Sequence, residues 1–125
     1  MLLCIGLTST AQEQQYQINL VGFYNLENLF DTIDDPKTND DDRTPNGTDK
    51  WTDEISSLTS KSLANVVWEI GRDLVGTSPS IVGLCEIENK QVLVDLLKNE
   101  ELINEGYSIA HFDSQDERGV DVALH

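Results

Sequence analysis

Basic residues are scarce in this chain. Eight Lys and Arg stand against 23 Asp and Glu, giving a formal net charge of −15 over 125 residues. That argues against nonspecific electrostatic binding to nucleic acid, which needs clustered Lys and Arg. A phosphate-bearing substrate stays open, because a divalent cation held by carboxylates reverses the sign of the local field. Cysteine is nearly absent, with only Cys4 and Cys85. There is no Cys/His cluster, so any metal bound through the carboxylates and amides is a hard one, Mg²⁺, Mn²⁺ or Ca²⁺ rather than zinc. No internal repeat is visible, and the apolar stretch at the N-terminus is far too short to span a bilayer.

That N-terminal stretch, Met1-Leu-Leu-Cys-Ile-Gly-Leu-Thr-Ser-Thr-Ala-Gln12, reads as the latter part of a secretory signal with a cleavage point after Ala11. It lacks the positively charged region that normally opens such a signal. Residues 1–11 are therefore expected to be a signal remnant, and the protein to be secreted or periplasmic. Removal of the segment leaves Cys85 as the sole cysteine and excludes an intramolecular disulfide. Cys85 lies in an apolar run and reads as a small core residue rather than a nucleophile.

The hydrophobic fraction of 38% is low for a compact fold, but the deficit is concentrated between Asp31 and Asp53. Gln17 to Leu26 alternates and reads as a strand. Asn25 to Phe30 is expected to leave it, and Asp31 to Lys50 to form a long loop rich in turn residues. A loop of that length inside a domain is often functional. A helix is predicted to start with Thr52 or Asp53 as its N-cap and to run to Gly76. Ile55, Leu58, Leu63, Val66, Val67, Ile70 and Leu74 would form one apolar stripe on it, with Trp51 and Trp68 at its edges. Ser80 to Cys85 reads as a buried strand. Asn89 then caps a short helix that buries Val92, Leu93, Leu96 and Leu97. Tyr107 to Phe112 and Val120 to Leu124 read as strands around a turn at Asp113 to Glu117. This order indicates an α/β sheet protein with a helical crossover, forming one domain or part of one.

Polar clusters fall at or beyond three strand ends: Asn25, Glu27 and Asn28; Glu86, Glu88 and Asn89; Asp113, Asp116, Glu117 and Arg118. If the first two strands are parallel, the first two clusters meet on one edge, where open α/β sheets gather their chemistry. The plain reading of a strand-terminal glutamate is a solvated residue; the functional reading of Glu86 is a cation ligand. Asp40-Asp-Asp42 lacks the alternating ligand spacing of a calcium loop.

Three segments occur in order: Phe23-Tyr-Asn-Leu-Glu-Asn-Leu-Phe-Asp31, Gly83-Leu-Cys-Glu-Ile-Glu-Asn89, and His111-Phe-Asp-Ser-Gln-Asp-Glu-Arg-Gly-Val-Asp-Val-Ala-Leu124. Together they resemble the endonuclease/exonuclease/phosphatase superfamily, most nearly the N-terminal portion of its secreted bacterial members. The likeness runs from about Ile18 to the last residue. It implies a deoxyribonuclease I-like, four-layer α/β/β/α sandwich, of which residues 18–125 would supply only the first sheet and its helices. It implies that Glu86 is the metal-binding glutamate, here for Mg²⁺ or else Mn²⁺ or Ca²⁺. Asn25 matches the amide beside the metal and the scissile phosphate, and Arg118 matches a phosphate-contacting position. Glu27 and Asn28 belong to the motif but serve the turn equally well. Asp121 also lies in a family-like segment, Glu88 shapes the loop, and His111 is structural.

The resemblance implies a metal-dependent phosphoester hydrolase acting on a nucleic acid, a nucleotide or a phospholipid headgroup, with no stable protein partner. The family's general-base histidine, its aspartate partner and its phosphate-gripping Asp-x-Asn segment belong to the second half of the domain. The present chain is therefore expected to be incomplete and nearly inactive alone. The competing readings are a non-catalytic exported binding protein and an unstable fragment that keeps part of the fold.

Overall fold

The computed structural model describes residues 16–36, 39–112 and 121–124, the last of these as backbone only. The signal-like segment 1–11, the turn at 113–117 and Arg118 lie outside the described residues. Strand β1 spans Val21–Leu29, followed by helix α1 at Asp53–Glu69, a one-turn helix α2 at Arg72–Val75, and β2 at Ile81–Ile87. Helix α3 spans Lys90–Leu97, β3 Ala110–Phe112 and β4 Asp121–Leu124. The four strands form one mixed sheet in the order β1-β2-β4-β3. β1 and β2 are parallel, which meets the condition for their polar ends to share one edge, and β4 runs antiparallel to both its neighbours.

Local chemistry accounts for the helix boundaries. Thr52 is the N-cap of α1, its Oγ1 accepting from Ile55 N–H at 3.4 Å, and Asp53 and Glu54 complement the positive end of the helix dipole. α1 stops earlier than the periodicity predicts, because Gly71 adopts φ +64° and starts the separate α2. A Cβ at Gly71 would stand 2.2 Å from Leu20 Cδ2, so this position needs both the left-handed backbone and the missing side chain. Asn89 is the N-cap of α3, with Oδ1 accepting from Gln91 and Val92 N–H at 2.8 and 3.1 Å.

The core lies between the helices and one face of the sheet. Leu26, Leu29, Val82, Leu84 and Ile87 come from the strands, Ala64 and Val67 from α1, and Val92, Leu93 and Leu96 from α3, with Leu102 beside them. The single apolar stripe expected on α1 is not observed. Ile55, Leu58 and Val66 are exposed. At about 100° per residue they fall roughly 130–150° from the centre of the face that Ala64 and Val67 bury. Leu74 is exposed on α2. Trp51 packs on Phe30 in its own small cluster, and Trp68 lies against the main core.

Both outer strands differ from the sequence pattern at their ends. β1 begins later than Gln17 and continues through Asn25 to Leu29, and β3 covers only the last part of the Tyr107 to Phe112 segment. The sheet face away from the helices carries exposed Val21, Phe23 and Phe112.

Candidate functional site

The sequence alternation of β2 would send Val82, Leu84 and Glu86 to the same side, which is the core. The structure avoids burying that carboxylate with one extra residue. Cys85 pairs with Asn25 on β1, but the next rung is Ile87 with Leu29. On the other side Cys85 pairs with Val122 and Ile87 with Asp121. Glu86 thus has no register partner in either ladder and adopts φ +60°. This bulge lets Ile87 take the core position and leaves Glu86 half-buried. Glu86 is the penultimate residue of β2, near the strand's C-terminal end as the sequence suggested. Among the described residues its carboxylate has no ion-pair partner.

β1 is irregular at the same level. Leu26, Glu27 and Asn28 occupy the space opposite Glu86, and Glu27 and Asn28 adopt φ +53° and +65°. Asn25 holds that turn: its Oδ1 accepts the N–H of Glu27 at 2.7 Å. The remaining end of this exposed side chain is the Nδ2 amide. Two parallel strands thus deliver an amide donor and a carboxylate to adjacent positions, on backbone that three left-handed residues fix in shape. The donor set is all oxygen and amide, which suits a hard cation. Beside it, burial raises the Cys85 thiol pKa, and the Glu86 charge raises it further. A protonated, half-buried thiol is a poor nucleophile.

Beyond the bulge a clasp joins the two strand ends. Glu88 N–H donates to Leu29 O at 3.0 Å, and Glu88 Oε2 accepts from Asp31 N–H at 2.7 Å. Asn89 Nδ2 donates to Asp31 Oδ2 at 3.0 Å. Glu88, expected to shape the loop, is buried. Burial pushes its pKa up to about 8; the Asp31 N–H opposes the rise, and Asp31 and Asp40 add to it.

The described part of the loop after β1 holds turns, as its composition implied. A 3₁₀ turn covers Asp41–Arg43, and Trp51 Nε1 donates to Phe30 O at 3.0 Å. Arg43 pairs with Asp49 at 2.9 Å and lies over the Phe30 and Trp51 rings. The carboxylates that converge here are Asp34, Asp40 and Asp41, whose oxygens lie within 4.8 Å of one another. They are not the run Asp40 to Asp42, since Asp42 instead accepts from Thr48 Oγ1 at 2.7 Å. Sequence spacing did not reveal this grouping, because it depends on how the loop folds back. Arg118 has no described position, and Asp121 is placed only as a residue of β4 opposite Ile87.

A model of the Endonuclease/Exonuclease/phosphatase family matches residues 20–125. The chain belongs to that family. No curated protein and no solved structure matches it. The endonuclease/exonuclease/phosphatase domain is of the phosphoester-hydrolase type and is generally metal-dependent, and the acidic group of Asp34, Asp40 and Asp41 could bind a metal. No helix among the described residues is long and apolar enough to cross a membrane.

Proposed function

We propose that this chain carries the cation-binding and phosphate-orienting part of a metal-dependent phosphoester hydrolase. The observation that carries the reading is the β1–β2 register, which sets Asn25 beside Cys85 and frees Glu86 from both ladders. Glu86 holds Mg²⁺ in this reading, with Mn²⁺ or Ca²⁺ as substitutes, and Asn25 stands next to it. Held there, the ion would supply neutralisation of the phosphate's negative charge. Asn25 Nδ2 donates to a phosphate oxygen, orients the phosphorus for in-line attack and meets the charge that grows there. Arg118 is the second phosphate contact. The bulged backbone holds Asn25 and Glu86 in place before substrate arrives, so little is spent on ordering them.

Water activation is the weak point of the chain by itself. His111 lies on β3, and β4 separates that strand from β2. No histidine among the described residues stands at the ends of β1 and β2. A positioned general base is worth about 10²–10⁴-fold in rate, and in this reading the chain alone turns over slowly for want of a histidine at those ends. The exposed face with Val21, Phe23 and Phe112 is where the second sheet of a four-layer sandwich would pack. The substrate is a phosphoester of a nucleic acid, a nucleotide or a phospholipid headgroup, with long nucleic acid disfavoured by the net charge. The protein is exported through its N-terminal segment.

Calorimetric titration of the full chain with Mg²⁺ tests the site. Saturable binding lost in Glu86→Gln is the expected result, and equal binding by both proteins would overturn it. Hydrolysis of bis(p-nitrophenyl) phosphate tests the slow turnover. Rapid Mg²⁺-dependent hydrolysis, abolished in Glu86→Ala, would keep the site and refute the inactivity.

A further inference from the structure

Between the rung Asn25–Cys85 and the rung Leu29–Ile87, β1 and β2 run without ladder pairing. Leu26, Glu27 and Asn28 fill that window on β1, and Glu86 alone fills it on β2. Glu27, Asn28 and Glu86 adopt φ +53°, +65° and +60°. Backbone of this kind persists only where its surroundings over-determine it. Burial of Leu29 and Ile87, at 2% and 0% exposure, chooses which residues turn inward after the window. Apolar burial is non-directional, however, and does not fix how far one strand end stands along the other. That alignment falls to the polar ties beyond the window. Glu88 N–H donates to Leu29 O at 3.0 Å, and Asn89 Nδ2 donates to Asp31 Oδ2 at 3.0 Å. Asp31 N–H donates to Glu88 Oε2 at 2.7 Å. Glu88 is buried, and Asp40 is hydrogen-bonded to its carboxyl from the loop side. In that setting a hydrogen bond is stronger than one exposed to water.

We propose that Glu88 is a positioning residue for the site at Asn25 and Glu86: its buried carboxyl, closed on Asp31 N–H, fixes the alignment of the two bulged strand ends. The inference rests on the phosphoester-hydrolase reading and deepens it, by naming the group that keeps the amide and the carboxylate in place. In this role Glu88 is not itself a ligand. It acts through the backbone, since it follows Glu86 closely on β2 and Asp31 follows Leu29 closely on β1. Loss of the Asp31 bond lets the end of β1 shift against β2, and the spacing of Asn25 and Glu86 then varies. A site whose supporting groups are loose holds its ion less tightly. A carboxamide at position 88 keeps the acceptor and serves equally well. A carboxyl one methylene shorter falls back from the Asp31 N–H.

The test is calorimetric titration of the full chain with MgCl₂ in wild type, Glu88→Gln, Glu88→Asp and Val67→Ala. Val67 lies in the core on α1, so its truncation lowers stability without removing any bond of the clasp. Urea unfolding gives the global loss of each variant. Mg²⁺ affinity should fall about tenfold or more in Glu88→Asp, as for other groups that support a metal ligand. It should stay at the wild-type value in Glu88→Gln and in Val67→Ala. Amide hydrogen exchange of the metal-free proteins supplies a second readout that needs no ion. The amides of Asp31 and of position 88 should exchange about fivefold or more faster in Glu88→Asp than its global loss accounts for, the change expected of one lost hydrogen bond. In Val67→Ala they should only follow the global loss. Wild-type affinity in Glu88→Asp overturns the proposal, as does weakened binding in Glu88→Gln. Equal weakening in Val67→Ala also overturns it, because stability alone would then account for the effect. No Mg²⁺ uptake by wild type refutes the Glu86 reading itself, and the clasp then stands or falls on the exchange comparison.

Discussion

Glu88 Oε2 accepts the backbone N–H of Asp31 at 2.7 Å, tying the end of β2 to the loop that leaves β1. The carboxyl group that makes this bond is buried beside Asp40, and burial lifts its pKa to about 8 from an ordinary value near 4.5. The folded protein therefore retains a proton at Glu88 that the unfolded chain has released. Its stabilising contribution is complete below pH 4.5 and is lost as pH rises through about 8. Thermal melting between these limits and above should show Tm falling toward alkaline pH. Glu88→Gln keeps an acceptor for Asp31 and never ionises. It should flatten that slope and exceed wild type at high pH by about 1–3 kcal/mol, the cost of a buried polar group short of partners. An unchanged slope in Glu88→Gln would assign the effect to other groups.

Glu86 is strained as well as half-buried. A non-glycine residue at φ +60° costs on the order of 1 kcal/mol or more. Glu86→Gly should remove that strain and leave metal-free stability equal to wild type or up to about 1 kcal/mol higher. It should also abolish the rise in stability caused by Mg²⁺. Urea unfolding with and without Mg²⁺ reads both effects. A large loss of metal-free stability would mean that the Glu86 side chain is structural.

Asn89 has two duties, capping α3 through Oδ1 and holding Asp31 through Nδ2. Asn89→Ala removes both and should destabilise the chain by about 1–2 kcal/mol. Asn89→Asp preserves the cap acceptors but sets a second negative charge against Asp31. Its loss should lie between those of wild type and Asn89→Ala, and should shrink at higher salt as the repulsion is screened. Denaturant midpoints of the three proteins at low and high salt decide this.

The elements legible in the sequence are those written in local chemistry. Thr52 and Asn89 announce their caps, the alternation before Leu26 announces β1, and the apolar run before Glu86 announces β2. The bulge at Glu86 is not legible, because a period of two cannot show that Ile87 will displace Glu86 from the inward position. The buried face of α1 is not legible for a related reason. Ile55, Leu58 and Val66 are apolar at helical spacing, but small Ala64 is the residue that reaches the core beside Val67. Asn25 and Glu86 could be selected from the ordered segments around them. The grouping of Asp34 with Asp40 and Asp41 could not, because it forms only when the loop closes over the Asp41–Arg43 turn.

Asn25 offers the sharpest separation of structure from chemistry. Its Oδ1 supports the Glu27 N–H, whereas its Nδ2 is the group assigned to the phosphate. Asn25→Asp retains the acceptor, loses the donor and adds a charge near Glu86. Stability should stay within about 0.5 kcal/mol of wild type, as for a surface change that spares its hydrogen bond. Mg²⁺ binding should tighten, because a nearby negative charge favours the cation. Retention of inorganic phosphate in the presence of Mg²⁺ should weaken about tenfold, the equivalent of one hydrogen bond to a charged group. Asn25→Ala should lose about 1 kcal/mol of stability with the turn contact and weaken phosphate binding as well. Mg²⁺ and phosphate titrations of both variants measure these effects. If Asn25→Asp binds phosphate as well as wild type does, the Asn25 amide does not meet the phosphate and its role is confined to the turn.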